Sequence, residues 1–255
     1  MKSSRVTLRS PAEIAQAREA GHLAARVLHM ITPHVQPGVT TEALDRLCHD
    51  YIVNELQVTP ANVGYLGYPK TVCTSVNHVI CHGIPSPGQV LKAGDIINID
   101  VAIIKDGWFG DTSRMYFVGE PSPLARRLVD TTYEAMCAGI AQVRPGATLG
   151  DVGHAIQSVA HRERFSVVRE YCGHGIGQIY HDEPQVLHYG QRGPGTAAGG
   201  RHGLHHRAHD QRRQARDAGA GRRVDRCHPR PLALCPVGTH GGRDGQRVRG
   251  AHALA

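Results

Sequence analysis

The sequence predicts a mixed α/β or α+β domain. Three observations carry this: helical stretches behind capping signals on either side of the chain's middle, a β-branched run over residues 95–104 between them, and an Asp106-Gly107 pair that turns the run back on itself. The first helix starts at Ser10-Pro11-Ala12-Glu13, a capping box with proline at the first helical position. It carries Leu23, Val27, Leu28 and Ile31 on one face and ends near Pro33. Val35-Gln36-Pro37-Gly38-Val39-Thr40 then forms a turn whose threonine caps a second helix bearing Leu44, Leu47, Tyr51, Ile52 and Leu56. The arrangement returns later. A helix from Ser122-Pro123 through Leu128, Ala135 and Ile140 leads into Val143-Arg144-Pro145-Gly146-Ala147-Thr148, and a further helical stretch carries Val152, Ile156 and Val159. The repeated unit suggests two related halves about a pseudo-twofold; on the plainer reading, Pro-Gly-x-Thr is simply a good loop-to-helix turn. Between the helix pairs, residues 95–104 read as a buried strand, Asp106-Gly107 as a two-residue hairpin turn, and residues 110–118 as the returning strand.

Length and composition bound the function. The chain has 255 residues, 40% hydrophobic, enough to bury a sizeable core and too apolar for disorder throughout. No run approaches the roughly 18 apolar residues of a membrane span, and Met1-Lys2-Ser3-Ser4-Arg5 leads into no signal-like stretch, so a cytoplasmic protein is expected. Cys48, Cys73, Cys81, Cys137, Cys172, Cys227 and Cys235 are odd in number and form no CxxC pair, which points to reduced thiols. The net charge of +7 invites a nucleic-acid reading until it is split along the chain. Residues 201–255 hold 12 Arg against 4 Asp, with no Lys or Glu, while the rest is nearly neutral.

If Asp106-Gly107 is a two-residue turn, Lys105 pairs with Trp108, Ala102 with Asp111 and Asp100 with Ser113. Asp100 and Asp111 are then diagonal neighbours on one face. Carboxylates so placed repel unless a shared proton, a basic partner or a divalent metal compensates them. A single Asp is more often a solvated strand end or turn cap. An Asp in the middle of a buried-type strand shifts the balance, because an unpaired internal carboxylate is costly. A second cluster, Tyr171-Cys172-Gly173-His174-Gly175-Ile176-Gly177 with His181 following, sets an accessible imidazole between glycines; the competing phosphate-loop reading lacks the Lys and Ser/Thr it needs. A third histidine, His82 in Cys81-His82-Gly83-Ile84-Pro85, also sits in a tight-turn setting. One such histidine is usually surface; three beside an Asp pair point to a site.

Those residues, with Tyr65-Leu66-Gly67-Tyr68-Pro69-Lys70, Ser75-Val76-Asn77, Asn98-Ile99-Asp100-Val101, Lys105-Asp106-Gly107 and Gly110-Asp111-Thr112-Ser113, resemble the type I methionine aminopeptidases, a branch of the M24-type metallopeptidases. The likeness runs in order from about Ser10 to Gln191. It implies an α+β pita-bread fold, with two pseudo-symmetric αβ halves around a mixed, largely antiparallel sheet. The implied activity is removal of the initiator methionine from nascent chains, using two divalent ions drawn from cobalt, manganese, iron or zinc. By position, Asp100, Asp111 and His174 are implied metal ligands. His82 and His181 are implied to contact the substrate amide and assist proton transfer, and Tyr65, Tyr68 and Cys73 to line the methionine pocket. The implied partners are nascent polypeptide N-termini carrying Met before a small residue, with the ribosome beside them. A monomer away from membranes is expected.

The chain departs from the family pattern in one respect. Members carry two glutamates downstream, in a TIEP-like and a WEH-like strand, and this sequence has no Glu after Gln191. Read one base late, residues 202–214 are compatible with MVFTIEPMINAGK and residues 237–240 with WEHT, which places the lost glutamates at Arg207 and Gly238. A change of frame between Arg192 and Gly195 is therefore the expected origin of the tail. The division expected is a catalytic unit over 1–191 and an aberrant tail over 192–255, disordered or poorly packed, with activity low or absent. Two other readings stand beside this one: a pita-bread binding module without catalysis, and a nucleic-acid- or ribosome-associated protein acting through the basic tail. A metal tract at His202, His205, His206 and His209 is weaker, for want of a scaffold.

Overall fold

The structure, a computed structural model, describes residues 9–193, 233–236 and 251–252. Helix α1 (Pro11–Ile31) opens on the capping box read from the sequence: the Ser10 side chain accepts from Glu13 N–H, and the Glu13 carboxylate accepts from Ser10 N–H. Thr40 caps α2 (Thr41–Asp50) by accepting from Ala43 N–H at 3.1 Å. The helix then widens over Tyr51–Glu55, where Leu56 N–H donates to Tyr51 O. Ser122 caps α3 (Pro123–Ile140), and Thr148 forms a capping box with Asp151 at the start of α4 (Leu149–Arg162). All four helix starts lie where capping chemistry puts them. Ile140, expected on the packed face of α3, is instead 58% exposed, because the helix ends there and the Gly139 position takes the contact with Ile156.

Strand β3 (Ile96–Lys105) is the spine of the sheet. Strands β1 (Thr59–Pro60) and β2 (Val72–Val76) share one of its edges, and β4 (Trp108–Phe117) takes the other, all antiparallel. The β3–β4 register is the one the turn predicted: Lys105 opposite Trp108, Ala102 opposite Asp111, Asp100 opposite Ser113. Asp106 (φ 49) and Gly107 (φ 81) both have positive φ, as the mirror-image turn of a two-residue hairpin requires.

Period two in β3 separates two environments. Ile97, Ile99, Val101 and Ile103 face a core made with Leu23, Val27, Leu28, Ile31, Leu44 and Ile52 of the α1–α2 layer. The opposite face begins at Ile96, in a second core with Leu128, Ile156 and Phe165 of the α3–α4 half. It ends at Ala102 and Ile104, which pack with Tyr65, Phe109 and Tyr180. Asp100 and Asp111 lie on this face between two apolar ends. The Tyr116 hydroxyl fixes α1 against the hairpin by donating to Leu28 O at 2.7 Å.

The second half supplies β5 (Phe165–Val167), β6 (Gly173–Gly175) and β7 (Asp182–Val186), the last two paired with an irregularity after His174. Two short segments of the tail, β8 (Ala233–Pro236) and β9 (Ala251–His252), are strands, with β8 antiparallel to β5. Apart from Arg192 and Gly193, the rest of the 192–255 division lies outside the described residues. So do Arg207, Gly238, the histidines from His202 to His209, and the origin proposed for them. The described ladders are all antiparallel, in an α+β arrangement.

Candidate functional site

The site forms where the inner face of β3–β4 meets β6–β7. Asp100 is 4% exposed in the middle of β3, and its cross-strand neighbours are Ser113 on β4 and Cys73 on β2. His174 does not lie in a tight turn, as its flanking glycines suggested; it is the central residue of β6. A Cβ on Gly175 would overlap the Glu183 carbonyl, so this glycine serves the close approach of two strands.

His174 and Asp111 converge. Nε2 of the ring lies 3.5 Å from Asp111 Oδ2, with both side chains largely buried. Nδ1 lies 2.8 Å from the Gly175 carbonyl oxygen. A carbonyl only accepts, so Nδ1 carries a hydrogen, and Nε2 is the ring atom turned toward the carboxylate. A carboxylate and an imidazole nitrogen this close in a sheltered site call for positive charge between them, from a proton or a cation.

Next to this pair lies an aromatic wall. The Tyr65 hydroxyl is 2.8 Å from His181 Nδ1, and the His181 ring centroid is 4.5 Å from that of His174. Tyr180 stacks on Phe109 at 5.0 Å and meets Tyr65 edge-on. The Tyr180 hydroxyl donates to Asn62 Oδ1 at 2.8 Å, and Asn62 in turn donates to Thr71 O. Spacing along the chain could not have found Tyr180, Asn62 or Phe109. The Tyr180–Asn62 contact joins residues 118 positions apart, and the only local signal was that Tyr180 precedes His181.

Tyr68 ties down the His82 segment: its hydroxyl lies 3.0 Å from both Val72 O and Gly83 O, which share its one hydrogen. Burial, and then the neighbouring Cys73 thiol and Asp100 carboxylate, push the Tyr68 hydroxyl well above the usual phenol range. His82 itself has left-handed backbone (φ 55), in a segment docked on β2 by Thr74 N–H donating to Gly83 O. Its ring lies edge-on to Tyr171 at 5.9 Å.

Imidazole nitrogen and carboxylate oxygen suit borderline divalent metals. Two ligands about 2.1 Å from one ion at neighbouring positions stand roughly 3 to 3.5 Å apart, which is the His174–Asp111 spacing. The pair fits in donor type and separation. In number it falls short, since among the described residues no group of three or more His, Cys, Asp or Glu gathers to hold a metal.

Metallopeptidase family M24 matches residues 15–210, and the chain belongs to that family. It is 54% identical over 187 residues to the methionine aminopeptidase of Escherichia coli K12, covering 73% of this chain and 71% of that protein. It resembles the crystal structure of methionine aminopeptidase from Rickettsia prowazekii with a TM-score of 0.73 and 52% identity, covering 75% of this chain and 76% of that one. The corresponding Thermotoga maritima structure also matches with a TM-score of 0.73, at 36% identity over 76% of this chain and 77% of that one. The fold is accordingly the pita-bread fold, and the family implies divalent metal cofactors.

Proposed function

We propose that the chain is a metal-dependent aminopeptidase that removes the initiator methionine from nascent polypeptides, acting as a monomer in the cytoplasm near the ribosome. The observation that supports it most is the convergence of His174 on Asp111, on the strand face that carries Asp100 and beside the Tyr65–His181 contact. No described helix is long and apolar enough to cross a membrane.

In this reading Asp111 and His174, with Asp100 on the same strand face, would hold the divalent ions, which would supply a water of lowered pKa and polarisation of the scissile carbonyl. The chain's own residues do the rest. Tyr65 packs with Tyr180 and Phe109 in an aromatic wall, and with Tyr68 and Cys73 would accept the methionine thioether and exclude water. His181, its ring fixed by the Tyr65 hydroxyl, and His82, its segment fixed by Tyr68, handle the proton at the substrate amide.

The family resemblance calls for two further glutamates, and none stands after Gln191. We infer that turnover by this chain is correspondingly slow. A change of reading frame near Arg192 accounts for the loss, and sequencing the gene across the codons for residues 185–205 tests it. Methionine release from a Met-Ala-Ser peptide with added Co²⁺ or Mn²⁺ tests the function. Slow, chelator-sensitive release that Asp100→Ala abolishes is the expected result. Fast release would overturn the inference about rate, and release indifferent to chelator and to Asp100→Ala would overturn the peptidase reading.

A further inference from the structure

One arginine touches both ends of the segment that carries His181. Arg9, just ahead of the α1 cap, has Nη2 3.5 Å from Asp182 Oδ2 and Nη1 3.7 Å from Glu13 Oε1, while its Cζ lies 5.3 Å from the centre of the Trp108 ring. At the other end of the segment, a Cβ on Gly177 would stand 2.5 Å from Arg9 Nη2, so the absence of a side chain there makes the room the guanidinium uses. Gly177 O also accepts from Phe109 N–H at 2.8 Å, and Gly177 N–H donates to Ile179 O. Tyr180 and His181 lie between these two anchor points.

The environment separates Arg9 from an ordinary surface arginine. Its side chain is 21% exposed, whereas those of Arg46, Arg126 and Arg162, which also pair with carboxylates, are 74%, 46% and 55% exposed. Glu13 is committed to Ser10 through Oε2, which leaves Oε1 to the guanidinium. Distances of 3.5 and 3.7 Å are charge contacts. The definition of position comes from a flat cation enclosed by an indole face, a glycine and two carboxylates.

We propose that Arg9 is a positioning residue: it clamps residues 177–182 to the start of α1 and to the β3–β4 hairpin, and through that segment sets the place of the His181 imidazole against Tyr65. The relevance to catalysis rests on the reading of His181 given above, but the clamp itself does not. A planar guanidinium fills the enclosure, and a lysine keeps the charge while losing the stacked plane and the second nitrogen.

The test is made on the full chain without substrate or metal. Hydrogen exchange followed by mass spectrometry should show amides of residues 177–182 exchanging at least tenfold faster in Arg9→Ala, with α2 and α4 unchanged and Arg9→Lys intermediate. Asp182→Asn, which leaves α1 untouched, should repeat the pattern and guards against a misfolded Arg9 variant. In histidine side-chain ¹⁵N spectra the His181 signal should shift in Arg9→Ala and move part of the way back in Arg9→Lys. Unchanged exchange at 177–182, a rise shared by the whole domain, or an unmoved His181 signal overturns the proposal. Failure of the peptidase reading would appear elsewhere, as methionine release from the parent chain indifferent to chelator and to Asp100→Ala.

Discussion

The Tyr65 hydroxyl and Nδ1 of His181 lie 2.8 Å apart, joining residues 116 positions apart in sequence. The contact couples the segment after β1 to the segment before β7, and so the two halves of the molecule. Tyr65→Phe keeps the ring contacts and removes this bond. It should cost about 1 kcal/mol of stability in urea titration and shift the His181 ¹⁵N signal. Equal stability with an unchanged signal would show that the two groups do not meet in solution.

Asp45 on α2 is 6% exposed, and its Oδ1 accepts from Thr71 N–H at 2.8 Å and Val72 N–H at 2.9 Å, which pins the start of β2. Asp45→Ala leaves two sheltered N–H groups without their acceptor and should cost roughly 2 to 4 kcal/mol. Asp45→Asn keeps an acceptor oxygen and should cost far less. Chemical denaturation of the two variants compares them directly, and equal losses would contradict the account.

Much of this architecture was legible locally, and the site only partly so. Ser10, Thr40, Ser122 and Thr148 announce their helices because a cap is chemistry confined to four residues. Asp106-Gly107 fixes the β3–β4 register, and with it the shared face of Asp100 and Asp111, because a two-residue turn leaves no freedom in pairing. The glycines beside His174 do serve close backbone approach, at Gly175 against β7, while the tight-turn setting read from them is a strand, which only the β7 partner reveals. Asn62, Tyr180 and Phe109 carried no periodic signal, since their contacts depend on how distant segments dock.

His188 is 5% exposed, and its Nδ1 has no hydrogen-bond partner among the described residues. Burial holds its imidazole down at about 4. The unfolded chain therefore takes up a proton near pH 6.5 while the folded chain stays neutral, so stability falls as pH drops from about 6.5 toward 4 and levels off below. The loss amounts to on the order of 3 kcal/mol. His188→Phe should flatten that part of the pH–stability curve, measured by thermal melts at several pH values. An unchanged slope would remove His188 as its source.

Thiol reactivity should follow burial. Cys137 is exposed, whereas Cys48 and Cys172 are buried, and burial raises both thiols, Cys172 to about 11 and Cys48 further. Brief alkylation of the native chain at pH 7.5, mapped by peptide mass spectrometry, should modify Cys137 and spare Cys48 and Cys172. Early modification of Cys48 would mean that the α1–α2 layer opens readily.

Calorimetric titration of the parent chain with Mn²⁺, beside Asp111→Asn and His174→Ala, bears most directly on the reading of the Asp–His convergence as a metal centre. Saturable binding by the parent, weakened at least tenfold in both variants, is the predicted result. Binding of equal strength in all three chains, or none in the parent, would contradict it.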